Sequence, residues 1–403
     1  MALATGIFKQ VAIKRETAYG TAPSAAGAQL LRRVTSQIDL KKDTFQSNEI
    51  RPDFQIADFR HGTRRVKGSM NGELSPGTYS DMFGAMLKRD FVAGVTATGA
   101  SVTIAVSGQQ YTVTRSAGSF LSDGFKIGDV IRLSTGAFNA ANLNTNLMIV
   151  GLTATVATVQ TLNGSALVAE GPISSATISV SGKKTFIPTT GHTDVSYSIE
   201  HWFNDVSKSE LFTGVKMDKV AIQLPPTGMA TVAFDVVGQN MTPNTARYFT
   251  SPNPVSTAGV TASVNGLLLV GGVAQAIVTG LNFSIDPAFS GDPVVGANYV
   301  PNQFAGTVNV AGQFTAYFQD TTLRDLFLNE AETTLVVVLT TNNSNNADFV
   351  SFTFPRIKLN DAAKNDGTGG VVQTIPFQAL MNVYGGAGQS FEATTISIQD
   401  TLA

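Results

Sequence analysis

Residues 62–83, moved along the chain by 244 positions, fall on residues 306–327 without a gap, and seven of the 22 positions are identical: Gly62/Gly306, Thr63/Thr307, Val66/Val310, Gly68/Gly312, Thr78/Thr322, Asp81/Asp325 and Phe83/Phe327. A self-match of this kind restricts the fold more than any local pattern, because one short sequence must serve one architecture twice. Both copies follow the same physical scheme. Val66, Gly68, Met70, Gly72 and Leu74 alternate with Lys67, Ser69, Asn71 and Glu73. Val308, Val310, Gly312, Phe314, Ala316 and Phe318 keep the same period of two, which is that of a half-buried strand. Thr78 with Asp81, and Thr322 with Asp325, then have the spacing of a helix cap followed by a first-turn acid. Met82, Phe83, Met86 and Leu87, or Leu323, Leu326, Phe327 and Leu328, continue at helical period. Each half is thus expected to hold a strand that feeds one short amphipathic helix.

The match extends on both sides with small gaps. Val34, Ile38, Leu40 and Asp43 resemble Ile277, Leu281, Phe283 and Asp286, and a long polar excursion follows in both halves. Phe212, Val215, Lys216 and Met217 resemble Phe354, Ile357, Lys358 and Leu359, and Thr231–Phe234 resembles Thr374–Phe377. In the second half the helix is followed almost at once by a strand over Leu335–Thr340, whereas the equivalent strand of the first half, Val195–Phe203, comes only after residues 92–190. That insert has its own strand pattern over Val102–Val106, Gln110–Arg115, Asp129–Leu133, Leu147–Leu152 and Val156–Leu162, punctuated by Ser107-Gly108, Asp123-Gly124 and Asn163-Gly164. It reads as a small β-barrel or sandwich placed in a surface connection. The expected organisation is a first half over 1–91 and 191–240, an inserted β-rich module over 92–190 on the outer surface, a Pro- and Ser-rich linker over 241–265, and a second half over 266–403.

Composition narrows the chemistry. The chain has no cysteine and three histidines, His61, His192 and His201, which excludes disulfides, thiol nucleophiles and cysteine-based metal sites. Met1–Gly6 lacks a basic segment followed by an apolar stretch, and no apolar run reaches the length of a membrane span, so neither a secretory leader nor membrane insertion is expected. Gly182-Lys183-Lys184-Thr185 has the tail of a phosphate-binding loop without its glycine lead, and Ser181 with Lys184 lacks any companion motif. Asp361–Gly370 lacks the alternating acids and terminal glutamate of a calcium loop and reads as a hairpin tip. No catalytic residue, metal site or cofactor is expected, and the chain is read as a non-enzyme.

Charge is distributed unevenly along the chain. The net charge is +5 over residues 1–90, zero over 91–270 and −7 over 271–403. The long loop expected over Lys41–Lys67 carries Arg51, Arg60, Arg64 and Arg65 among its cations, Asp43, Glu49, Asp53 and Asp58 as its acids, and Phe45, Phe54 and Phe59 between them. Interspersed carboxylates would repel phosphates, so aromatic anchors with a charged rim read better as a protein–protein arm than as a nucleic-acid site.

Three stretches then point to a family. Ser47-Asn48-Glu49-Ile50-Arg51-Pro52-Asp53, Ala57-Asp58-Phe59-Arg60-His61-Gly62-Thr63-Arg64 and Gly68-Ser69-Met70-Asn71-Gly72-Glu73-Leu74-Ser75-Pro76-Gly77 resemble the major tail tube proteins of bacteriophages with long, non-contractile tails. The resemblance is strongest over residues 30–90. It implies a mainly β chain: two tandem tail-tube-type β-sandwiches or half-barrels, each with one short flanking helix, plus the inserted all-β module. It also implies rings stacked into a tube that carries double-stranded DNA without binding it specifically, with the tape-measure, tail-tip and tail-terminator proteins as partners. The protein is then expected in the virion tail, assembled in the bacterial cytoplasm. Single-domain members form six-membered rings, so a duplicated chain suggests trimeric rings with pseudo-sixfold symmetry, a hexamer of chains being the alternative. Residues expected at subunit or ring interfaces are Phe45, Glu49, Arg51, Asp53, Phe54, Asp58, Phe59, Arg60, Arg64 and Arg65, with Asp286, Asp292 and Tyr299 in the duplicate excursion. The basic arm residues are expected to face protein, leaving a neutral to acidic lumen. Two other readings are another virion β protein (minor tail, decoration or fibre component) and a carbohydrate-binding β module. The single Trp202 argues against the latter.

Overall fold

Strands form where the alternation is longest. A computed structural model describes residues 3–275, 277–366 and 368–403. Met1, Ala2, Ala276 and Gly367 lie outside the described residues, and with them the start of the stretch read for a leader and one position of the Asp361–Gly370 turn. In the first half the chain builds β1 (Lys9–Arg15), β2 (Thr35–Gln46), β3 (Phe59–Glu73), α1 (Ser80–Met86), β4 (Tyr197–Phe203), β5 (Lys208–Leu224) and β6 (Thr231–Gly238). The second half builds β7 (Gly266–Val270), β8 (Val278–Asp286), β9 (Asn309–Tyr317), α2 (Thr322–Leu328), β10 (Thr333–Thr340), β11 (Phe349–Leu359), β12 (Ala363–Lys364), β13 (Val372–Ala379) and β14 (Ser397–Asp400). The molecule is mainly β.

One antiparallel row runs through both halves in the order β2-β3-β6-β5-β8-β9-β13, closed by β11 and its continuation β12. The quartets β2-β3-β6-β5 and β8-β9-β13-β11 have the same order. A second layer is made by β1-β4 on the first part of β5 and by β7-β10 on the first part of β11, with β14 on the other edge of β11. The bulge in β4 falls between Tyr197 and Ile199, opposite Val215 and Phe212; that in β10 falls between Thr333 and Leu335, opposite Ile357 and Phe354. These are the residues that the match of Phe212–Met217 with Phe354–Leu359 sets equal.

Two of the matches slide by two residues. Ile38 lies opposite Gly68, and Phe283 opposite Gly312, so Ile38 corresponds to Phe283 and not to Leu281. Phe234 lies opposite Met70, and Ile375 opposite Phe314, so Phe234 corresponds to Ile375. A slide of two keeps every side chain on its face, which is why the pattern alone did not separate the registers. The shared glycines have a steric cause. A Cβ on Gly68 would overlap the Gln37 carbonyl oxygen, and one on Gly312 would overlap that of Asn282.

Between the layers lies one core common to both halves. Phe83 on α1 packs against Phe234 at 5.5 Å and Phe352 at 6.0 Å, Phe352 against Phe283 at 5.1 Å, and Phe354 against Phe377 at 5.6 Å. The helices begin one residue off expectation: Tyr79 and Thr321 are the N-caps and neither makes a side-chain cap bond. Thr78 instead shares a hydrogen bond with Ser75 at 2.6 Å, and Asp81 is drawn to Arg15 at 2.5 Å.

Residues 96–180 form a separate eight-stranded sheet with its own core, which includes Phe120, Phe125, Leu147 and Ile178, and one helical turn at Phe120–Asp123. The sheet is open, its outer strands Glu170–Ile173 and Thr96–Thr98 not pairing with each other, so of the two expected forms, barrel or sandwich, the barrel does not close. Although inserted in the first half, this module lies against the second. The unbroken apolar run of β10 explains why: Leu335, Val337 and Leu339 face the common core, while Val336 and Val338 pack with Leu269 and Phe349 against Val130 and Met148 of the module. Arg132, Asn146 and Asn163 add hydrogen bonds to the Asn343–Ala347 turn. Lys184 is buried between Asp129 at 2.6 Å and Glu392 at 3.1 Å, and burial pushes the Asp129 carboxyl upward.

Candidate functional site: two free edges and an arm

A row of strands ends in two edges. Among the described residues β2 pairs only with β3, and β12 only with β13, so the outer backbone groups of both are open. In the middle of the row the equivalent groups are joined: Val220 to Leu224 of β5 pair with Ile285 to Leu281 of β8. This joint buries Val220, Ile222, Leu281, Phe283 and Ile285 on the core side. The opposite face of the row is polar and small, with Gln37, Ser69, Asn71, Ala221, Asn282, Gln313 and Thr374 among its residues. It carries Lys41, Arg65, Lys67, Lys219 and Lys358 against Asp39, Glu73, Asp235, Asp286 and Asp361.

The excursion of the second half, 287–308, folds back over the first half and seals this joint. Its anchor is Lys216, which is buried and donates from Nζ to Asp194 Oδ2 at 2.7 Å, Gln303 O at 2.7 Å and Asn302 Oδ1 at 3.2 Å. The Phe289 ring covers both Lys216 Nζ, at 5.4 Å, and Lys88 Nζ, at 4.9 Å. Burial lowers the Lys88 pKa, and Asp194 at 3.8 Å partly offsets this. Arg64 donates its backbone N–H to Asn298 O at 2.8 Å and lies 5.9 Å from the Tyr299 ring, and Gln239 reaches Val300 O at 3.3 Å.

The first-half excursion behaves differently. Most of Lys41–Lys67, expected as loop, is paired strand: β2 and β3 stay in register to Gln46 opposite Phe59, with a bulge between Lys42 and Thr44. Only residues 47–58 form an irregular tip. The paired part stands out as a two-stranded arm, tied by Arg65 to Asp43 at 2.6 Å and by Phe45, whose ring lies where a Cβ on Gly62 would be. Arg60–Asp58 and Arg51–Asp53, both at 2.8 Å, are exposed local pairs that add little stability. Ile50 and Phe54 are wholly exposed, with Phe45, Ile56 and Phe59 largely so. Apolar groups displayed in this way on a stiff hairpin mark a contact surface.

Of the residues expected at interfaces, the fold brings Arg64 and Tyr299 together and places Asp286 at the end of β8 beside Asp218, whose carboxyl burial pushes up. Phe45, Glu49, Arg51, Asp53, Phe54, Asp58, Phe59 and Arg60 lie along the arm, and Asp292 is exposed in the folded-back excursion. Lys216, Asp194 and Lys88 were not singled out from sequence, though the match of Lys216 with Lys358 was their signal. Trp202 lies on β4, its indole N–H donating to Asn204 at 3.3 Å.

Residues 9–379 match a family model described as phage tail tube protein. The chain belongs to the phage tail tube protein family. The matched span begins with β1 and ends with β13, so it takes in both quartets and the module. Among curated proteins none matches. As a tail tube protein the chain is a structural component of a phage tail, one that builds a tube with other tail proteins. No helix among the described residues is long and apolar enough to cross a membrane.

Proposed function

We propose that the two quartets are copies of one tube unit, and that three chains close head to tail into a ring of six such units, which stacks into the tail tube. The observation that carries this reading is the open row, which has a free edge at each end and a completed joint at its centre. Heterologous contacts between unlike edges close when the rotation divides a circle. Eight strands from each of three chains give a barrel of about 24 strands, and at about 4.8 Å spacing and about 40° tilt it is about 48 Å across between backbones. That leaves room for a DNA duplex after side chains are added.

The polar face of the row then lines the channel. Five cations against five carboxylates give it a near-neutral surface. Arg65, expected to face protein, lies on it but is held by Asp43 at 2.6 Å, so no array of free phosphate-neutralising groups forms, which suits passage rather than binding. The module, held on β7, β10 and β11 behind the row, decorates the outside. Rings assemble in the host cytoplasm around the tape-measure protein and are bounded by tail-tip and terminator proteins. The purified chain at rising concentration should give rings or tubes with a central hole in negative stain; discrete monomers under all conditions would contradict the reading.

A further inference from the structure

Resting on the ring reading, we infer that the joint between chains repeats the joint inside the chain, residue for residue, with the charges of one pair exchanged. The bulges and strand partners set β5 equal to β11–β12 at an offset of 142 positions and β2 equal to β8 at 245. The internal register of Val220 with Ile285 therefore becomes Ala362 of one copy with Leu40 of the next, Ala221 with Ser284 becomes Ala363 with Asp39, and Ile222 with Phe283 becomes Lys364 with Ile38.

Extending both registers by one residue sets Lys219 against Asp286 within the chain and Asp361 against Lys41 between chains. Each pairing is of opposite sign, and the order is reversed. The wrong combinations, a first-half edge on a first-half edge or a second on a second, would set Lys219 against Lys41 or Asp361 against Asp286. Directly opposed like charges oppose pairing, so the exchange keeps β5 and β8 joined to each other within a chain and leaves β12 and β2 to join between chains.

The arm fits the same scheme. The excursion 287–308 seals the internal joint over Lys216, with Asp194 and Lys88 beside it. The equivalent of Lys216 is Lys358, which is 40% exposed and lies beside Glu332 at 4.0 Å. Among the described residues no segment of its own chain covers Lys358 as 287–308 covers Lys216, while the equivalent excursion, the arm, projects with its aromatic and basic residues exposed. The occupant of the Lys358 surface is thus the arm of the next copy, whose arginines meet the exposed Glu330, Glu332 being already held by Arg356 at 2.6 Å, and whose phenylalanines cover the exposed Met381 and Tyr384.

The absence of native cysteine makes the register readable. Asp361→Cys with Lys41→Cys, assembled and then oxidised, is expected to give chain-to-chain disulfides on a non-reducing gel. Lys219→Cys with Asp286→Cys should close within one chain and thereby reports the fold. Asp361→Cys with Gln37→Cys, displaced along the strand, should give none. Tubes that form but cross-link at the displaced pair, or not at Asp361 and Lys41 while the internal pair closes, overturn this joint and leave the ring reading standing. Failure of the unmodified chain to form rings overturns the ring reading itself. As a second readout, Asp361→Lys and Lys41→Asp should each suppress assembly and together restore it; assembly unaffected by either single change would also overturn the joint.

Discussion

Gly68 and Gly312 are identical because each backs onto a neighbouring carbonyl, and that makes them the sharpest residue-level test. Gly68→Ala and Gly312→Ala must each displace backbone, so each should lose about 1–3 kcal/mol in denaturant unfolding. Ser69→Ala, one position away on the polar face, should stay within about 0.5 kcal/mol. Equal tolerance at all three would contradict the packing described. His201 offers a second test. It is buried against Phe212 with Ser36 at 2.8 Å, and burial, with Lys9 and Arg33 nearby, pushes its pKa down to about 3. Glu210 at 3.9 Å does not reverse this. Because the folded value lies below the ordinary one of 6.5, the unfolded chain gains a proton first as pH falls. Stability from this group is whole above pH 6.5 and is lost progressively toward about 3. His201→Gln should therefore remove about 2 kcal/mol of the loss seen between pH 6.5 and 4.5, as measured by unfolding of unassembled chain at both pH values. Parallel losses in both proteins would show that His201 does not contribute.

At the scale of elements the arm and the module make separable predictions. Replacing residues 47–58 with a two-residue Asn-Gly turn removes no core residue, so the unassembled protein should keep its melting temperature within a few degrees while ring formation is lost. Retained assembly would remove the arm from the interface. Deleting the module instead bares Leu269, Val336, Val338 and Phe349, and the product should aggregate; a soluble, cooperative product would show that this contact is dispensable. These elements were legible to different degrees. Five of the insert's eight strands are readable from their alternation and turn glycines, while Thr96–Thr98, Glu170–Ile173 and Thr177–Val180 are too short to show a period; the apolar run Leu335–Leu339 marks a strand covered on both faces. Which module covers it was not readable, because Val130 and Met148 lie far away in the chain. The arm does not read as strand from sequence, because its residues are charged at the positions where a half-buried strand would be apolar and, beyond Gly62–Arg65, both of its faces are exposed. The register slips at Ile38 and Phe234 arose because a period of two looks the same after a shift of two.

For the whole molecule, the basic first half and acidic second half take on a geometric meaning. Alternating units in a closed ring would place every basic arm on an acidic neighbour, which sets orientation more than affinity. The two halves share one aromatic core from Phe234 through Phe83 and Phe352 to Phe377, so the chain is one rigid building block rather than two beads. The central claim is that three such blocks close a ring of six units. A cryo-EM reconstruction of assembled tubes, refined without imposed symmetry within the ring, tests it directly. The account expects three chains per ring, a barrel wall of near-sixfold repeat and three modules projecting outward. Six chains per ring, or a wall in which β2 and β12 meet no neighbouring strand, would contradict it.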